Sequence, residues 1–348
     1  MPHSSLLRTV AVVACGLCLL VVVLGAYVRL SDAGLGCPDW PGCYGHFTPA
    51  GAAADPGAGT TVELGKAWRE MVHRYAAGTV GFLIVCLTAM AVVWQRERIV
   101  PVTLVVALLA IVVLQGTLGM LTVTWQLTPL IVTLHLLFGL TTLSVLWWLV
   151  LSLWRRRSGA WALHGAGGGA ADVARGARGL ALLGLLALAA QITLGGWTSS
   201  NYAALACPDL PTCQGRWWPQ TDFRAGFVLW RGAGINYDGG VLANPARVAI
   251  QLSHRMGALV TSAVLVTAAL SAQRLRRAPA ARLAATLVLL ALGAQLAIGT
   301  AMVLRGFPLW LATAHNAGAA LLLLATLSLN RALLPPREPV PIVKLSPS

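Results

Sequence analysis

PLIVTLHLLFGLTTLSVLWWLVLSL, residues 129–153, decides the fold. The stretch has no Asp, Glu, Lys or Arg and one interior histidine, His135. About 20 consecutive apolar residues suffice to cross a bilayer as a helix. In lipid the backbone must satisfy its own hydrogen bonds, so a helix is the expected form. Working outward, similar blocks fall at about 8–28, 70–94, 101–122, 179–198, 246–272, 281–304 and 309–331. The first could be a cleaved signal peptide. Its long apolar run, and Arg29 where a small-residue cleavage site would fall, point to an uncleaved helix.

Composition agrees. Of 348 residues, 57% are hydrophobic and 10% charged, against roughly 25% charged in a soluble domain. A net charge of +14 raises the question of nucleic acid. No stretch interleaves basic and aromatic residues as a strand-binding groove would, and no nucleic-acid partner is expected. The basic residues instead orient the chain. Arg8, Arg96, Arg98, Arg155, Arg156, Arg157, Arg175, Arg178, Arg274, Arg276, Arg277, Arg282, Arg331, Arg337 and Lys344 cluster at helix ends on one side. The rest are spread over two long loops, about 29–69 and 199–245, and the adjoining helix ends, where they weigh less. This predicts a multi-pass protein of a bacterial plasma membrane with both termini cytoplasmic and both loops outside.

The chain repeats itself, an architectural signal sought early. Cys37-Pro38-Asp39-Trp40-Pro41-Gly42-Cys43 returns as Cys207-Pro208-Asp209-Leu210-Pro211-Thr212-Cys213. His73-Arg74 returns as His254-Arg255, and Pro129 with His135 as Pro308 with His315. Four blocks precede the connection and four follow it, so the halves share one membrane orientation. The expected fold is all-α and integral to the membrane, eight helices forming two pseudo-symmetric four-helix bundles. Residues 1–154 make the first half, 155–178 a cytoplasmic linker with the run Gly165-Ala166-Gly167-Gly168-Gly169, 179–333 the second half, and 334–348 a tail.

Ionisable residues in membrane segments are functional candidates, although a single histidine there is often structural. Four in repeated positions argue otherwise. His73, His135, His254 and His315 all fall in the outward third of their segments. Zinc wants three or four protein ligands. Haem iron needs one or two, because the porphyrin supplies the others. Two histidines per half therefore favour haem. Arg74 and Arg255 suit haem propionates, or equally snorkel to the interface. Glu70 stands three residues before His73, on the same helix face; Gln251 stands three before His254. Either Glu70 is a helix-start anion, or one half does chemistry while the other holds a stable cofactor.

Cys37 and Cys43 enclose five residues, two of them prolines, and Cys207 and Cys213 repeat the spacing. An oxidising outer face predicts two intraloop disulfides, Cys37–Cys43 and Cys207–Cys213. They either staple the loops or exchange with a redox partner. Cys15 and Cys18, inside an apolar block, read as small apolar residues.

These pieces together resemble the haem A synthase (CtaA) family: Gly25-Ala26-Tyr27-Val28-Arg29-Leu30-Ser31, the two cysteine motifs, Glu70-x-x-His73-Arg74, His135, Gln251-x-x-His254-Arg255 and His315. The resemblance runs from about residue 8 to 333. It implies oxidation of the ring C8 methyl of haem O to the formyl group of haem A, for cytochrome c oxidase assembly. It implies that His73 and His135 flank the substrate haem, that His254 and His315 ligate a haem b cofactor, and that Glu70, with Cys37 and Cys43 assisting, is catalytic. The enzyme that makes haem O, an unspecified electron acceptor and a second copy of the chain are candidate partners. The rival readings are a bis-histidine cytochrome b passing electrons between quinone and outer-face thiols, and a haem carrier without chemistry.

Overall fold

The computed structural model describes residues 2–54, 63–97, 99–155, 168–232 and 234–334. Eight long helices run through them: α1 Pro2–Leu30, α2 Leu64–Val93, α3 Val102–Thr124, α4 Pro129–Arg155, α5 Gly168–Ser200, α6 Asn244–Gln273, α7 Pro279–Leu304 and α8 Leu309–Ala332. All eight are long and apolar enough to cross a membrane, and no strand occurs among the described residues. The protein is an all-α, multi-pass membrane protein.

Prolines start several of these helices. Pro129 and Pro279 are first residues of α4 and α7, Pro245 is the second residue of α6, and Pro101 and Pro308 cap α3 and α8. The first turn has no use for the missing N–H, so proline is tolerated there. The α3–α4 and α7–α8 turns repeat each other. Leu127 N–H donates to Thr122 O at 2.8 Å, and Phe307 N–H to Met302 O at 2.8 Å. Leu127 and Phe307 both carry positive φ, 60° and 61°. His135 and His315 each follow six residues after the first helical residue, about 9 Å along the axis.

Helix α5 differs from expectation. It starts at Gly168 rather than near 179, so residues 168–178, expected as tether, are helical. Arg175 and Arg178 ride on that extension. Arg155, expected as the first linker residue, ends α4, and residues 156–167, including Gly165 to Gly167, lie outside the described residues, as does the tail beyond Leu334.

Helix α1 packs on α2 and α4, and α3 packs on α2 and α4. In the second half α5 packs on α6 and α8, and α7 on α6 and α8. Across the seam α1 meets α8, and α4 meets α5 and α8. The buried core begins at Val80 on α2, Leu140 on α4, Leu265 on α6 and Ala320 on α8. Each is five or more residues past the histidine on its helix. The densest apolar packing therefore stops below the histidine level. Cys15 and Cys18 are buried in that core without a disulfide, consistent with use as small apolar residues.

Candidate haem sites and the disulfide loops

Each of the four histidines rests on a glycine of a neighbouring helix. A Cβ at Gly25 on α1 would lie 2.8 Å from His73 Cε1, one at Gly119 on α3 3.2 Å from His135 Cε1, one at Gly195 on α5 3.1 Å from His254 Cε1, and one at Gly299 on α7 3.0 Å from His315 Cε1. Real Cβ atoms essentially never approach under 3.0 Å. The glycines open the four seats. His73 on α2 and His135 on α4 stand on helices that share α1 and α3 as neighbours, and His254 on α6 and His315 on α8 stand on helices that share α5 and α7.

These seats fit haem. The Nδ1 atoms of His73, His135 and His315 are buried and make no hydrogen bond. A buried imidazole nitrogen without a partner costs free energy, and a metal is one partner that would satisfy it. Among the described residues no three His, Cys, Asp or Glu gather as a bare metal would need. Two imidazoles per pair, in an apolar surround above the packed core, match the donor set of haem iron.

Sequence reasoning passed over three glutamines. Gln115 Nε2 donates to His135 O at 2.9 Å, Gln191 Nε2 to His254 O at 2.9 Å, and Gln295 Nε2 to His315 O at 3.0 Å. Each sits four residues before the glycine under its histidine. That repeated Gln-x-x-x-Gly spacing is visible in the sequence and would have found them.

Glu70 is buried, and both its oxygens are engaged. Oε2 accepts from Cys37 N–H at 2.9 Å and Oε1 from Arg74 Nη2 at 2.5 Å. It thus joins the first histidine helix to the first cysteine loop. Gln251, its counterpart, is buried with Oε1 unpartnered.

The two loops are copies. Both predicted disulfides are present, Cys37–Cys43 and Cys207–Cys213. Asp39 accepts from Tyr44 N–H at 2.5 Å and Gly45 N–H at 2.8 Å; Asp209 accepts from Gln214 N–H at 2.6 Å and Gly215 N–H at 3.0 Å. The Thr212 hydroxyl also donates to Asp209. That bond first, then the two amides, holds the Asp209 carboxyl below its ordinary range. Arg74 donates to Asp39 O, Pro41 O and Gly42 O at 2.9, 3.3 and 2.5 Å. Arg255 donates to Cys207 O, Asp209 O and Thr212 O at 2.9, 2.9 and 2.8 Å. Here the arginines clamp loop carbonyls, a task neither of the two earlier readings assigned them.

The long loop before α6 also has a structural task. Tyr237 is buried and donates its N–H to Gln126 O at 3.1 Å. The Tyr202 hydroxyl donates to Asp238 at 2.9 Å, under the Arg29 guanidinium 4.1 Å from its ring. The loop thereby ties the two halves at the cysteine-loop end.

The sequence profile of the COX15-CtaA family, described as cytochrome oxidase assembly protein, matches residues 8–327. The chain belongs to that family. Among its relatives, the protein named Heme A synthase of Shewanella oneidensis is 40% identical over 319 residues, covering 90% of this chain and 92% of that one. Proteins of the same name from Shouchella clausii and a Caulobacter species are 27% and 28% identical. They cover 87% of this chain each, and 88% and 89% of their own lengths. Membership spans both histidine pairs and both cysteine loops, so the repeated frame belongs to the family region as a whole.

Proposed function

We propose that the protein is a haem A synthase, an oxidoreductase that converts haem O to haem A. Family membership and the relatives' names support the activity. The observation that carries the division of labour is a break in the repeat: Glu70 beside the first pair, Gln251 beside the second. In this reading the halves are two pseudo-symmetric four-helix bundles. The first, 1–154, takes the substrate haem between His73 and His135. The second, 179–333, holds haem b between His254 and His315, where it supplies one-electron redox capacity. The ring methyl gives up its electrons to an external acceptor and takes its oxygen from water, R–CH3 + H2O → R–CHO + 4 H+ + 4 e−, by way of an alcohol and then a hydrate that loses water to leave the formyl group.

Glu70 accepts hydrogen bonds on both oxygens, so it is an anchored group rather than a swinging one. Its role is to stabilise positive charge developing on the substrate ring, the kind of work a fixed dipole or charge does well in a dry site. Cys37 and Cys43 assist through that carboxylate, because the Cys37 amide holds Glu70 in place. Arg74 and Arg255 act as loop clamps in preference to propionate contacts. The cysteine loops face outward and both termini face the cytoplasm. The enzyme that makes haem O and a second copy are suitable neighbours for so insoluble a substrate. A plain electron-transfer cytochrome b would leave the Glu70–Gln251 difference without a purpose.

The test is pigment extraction from membranes carrying the chain together with a source of haem O. Formyl haem is the expected product. Haem O recovered unaltered, from a protein that binds it, would overturn the enzyme assignment.

A further inference from the structure

Three histidines are backed by a glutamine and one is not. Four residues before Gly119, Gly195 and Gly299 stand Gln115, Gln191 and Gln295; four before Gly25 stands Val21. Each amide nitrogen is committed to the backbone carbonyl of its histidine, and also lies 3.5, 3.0 or 3.3 Å from a ring nitrogen of His135, His254 or His315. The amide oxygen beside it is buried without a hydrogen bond in all three cases. In this structure each ring nitrogen faces the amide nitrogen, so no imidazole N–H reaches that oxygen; a turn of the terminal amide or of the ring would bring the unsatisfied acceptor onto an imidazole N–H.

The opposite helix makes room for these amides. A Cβ on Gly257 or Gly318 would collide with the side-chain oxygen of Gln191 or Gln295, and one on Gly139 would lie 3.1 Å from Gln115 Nε2. Those glycines follow their histidines by three, three and four residues. The corresponding places after His73 are Ala76 and Ala77. The missing glutamine and the missing clearing go together. No glutamine stands behind the ring of His73, and its buried Nδ1 has no hydrogen-bond partner.

A ligating histidine is oriented, and made more basic, by an acceptor at its other ring nitrogen; losing that acceptor typically weakens metal affinity 10- to 100-fold. We propose that Gln115, Gln191 and Gln295 are positioning residues, each taking the ring N–H of its histidine and presenting the other nitrogen to haem iron, and that His73 is left unbacked as the labile ligand. This rests on the functional reading above. A cofactor haem must stay, so both second-half ligands are braced. A substrate haem must enter and its product leave, so the first half has one braced ligand and one loose one.

The test uses the full-length protein, purified after supply of haem. In Gln191→Leu or Gln295→Leu, redox titration should give a raised midpoint potential for the second-half haem, since a less basic imidazole favours ferrous iron. Gln191→Glu, with a stronger acceptor, should shift the potential the opposite way. In the paired variant Val21→Gln with Ala76→Gly, washout of the first-half haem into apomyoglobin should slow on the order of tenfold. Shifts of the same sign in Leu and Glu variants, or none, overturn the bracing role. Unchanged washout in the paired variant overturns the labile role of His73. If the unsubstituted protein retains no haem in either half, the functional reading falls and takes this inference with it. If it binds haem and only the shifts are missing, this inference alone falls.

Discussion

Glu70 and Gln251 occupy equivalent places three residues before a histidine and differ only in an oxygen for a nitrogen. That makes Glu70→Gln a near-isosteric change for which the protein supplies its own precedent. The amide can still accept from Cys37 N–H but loses the charge paired with Arg74. We expect formyl haem output to fall at least tenfold while haem binding persists, with a stability loss of about 1–3 kcal/mol from the weakened buried pair. Haem extraction with chromatography reads the first, and thermal unfolding in detergent the second; normal formyl output would refute the role of Glu70. Outside the membrane, Asp209 gives a pH prediction. Its folded value lies below the ordinary carboxylate value, so its contribution is fully present above about pH 3.8 and is lost as pH falls through the folded value. Amide hydrogen exchange at Gln214 and Gly215 should therefore accelerate only under strongly acid conditions, relative to the intrinsic rate, and Asp209→Asn should remove that pH dependence. At this scale the sequence was partly legible. The histidines, Glu70 and the cysteines stood out by chemistry and repetition. The tasks of Arg74 and Arg255 did not, because a guanidinium beside a membrane histidine suits an anion and a turn of carbonyls equally well until the loop is folded over it.

Helix ends and helix crossings carry the next level. The proline-started helices set the depth of His135 and His315, and hydrophobic runs located all eight spans. The start of α5 was misjudged because Gly168, Gly169 and the arginines at 175 and 178 lower apolarity without preventing a helix; composition reports where lipid begins, and a helix can extend beyond it. The glycine seats were not read from single segments either, since a crossing point becomes visible only when two helices are paired. Their consequence is specific. Gly195→Val would push two methyl groups into a space where a Cβ alone already meets His254 at 3.1 Å. Overpacking of this kind costs about 1–3 kcal/mol, and displacement of the imidazole should abolish haem retention in the second half while leaving the first half loaded. Haem quantification per chain, with absorption spectra to identify the type retained, checks this. Equal loss from both halves would mean that the glycine supports the whole molecule rather than one seat.

Across the whole molecule, two copies of one frame meet along a seam that is mostly apolar and lightly pinned. Trp147 donates to Ser328 Oγ at 2.9 Å, the hydroxyls of Thr133 and Ser200 lie 3.2 Å apart, and Arg29 donates to Ser199 O at 3.2 Å. In the proposed reading, duplicated geometry lets one copy keep a cofactor while the other handles a substrate, and the differences that bear on this stand beside the histidines: Glu70 against Gln251, Val21 against Gln191, Ala76 against Gly257. The repeat itself was legible from motif order and spacing; the Val21 and Ala76 differences were not, because they acquire meaning only beside the histidine they leave unbraced. The central claim is that each histidine pair holds its own haem. Pyridine haemochrome analysis of the purified protein, compared with the His254→Ala, His315→Ala double variant, tests it most directly. The account predicts one haem per pair in the unsubstituted protein, and in the variant the selective loss of protohaem with haem O or haem A retained. A haem complement unchanged in amount and type by the double substitution would contradict it.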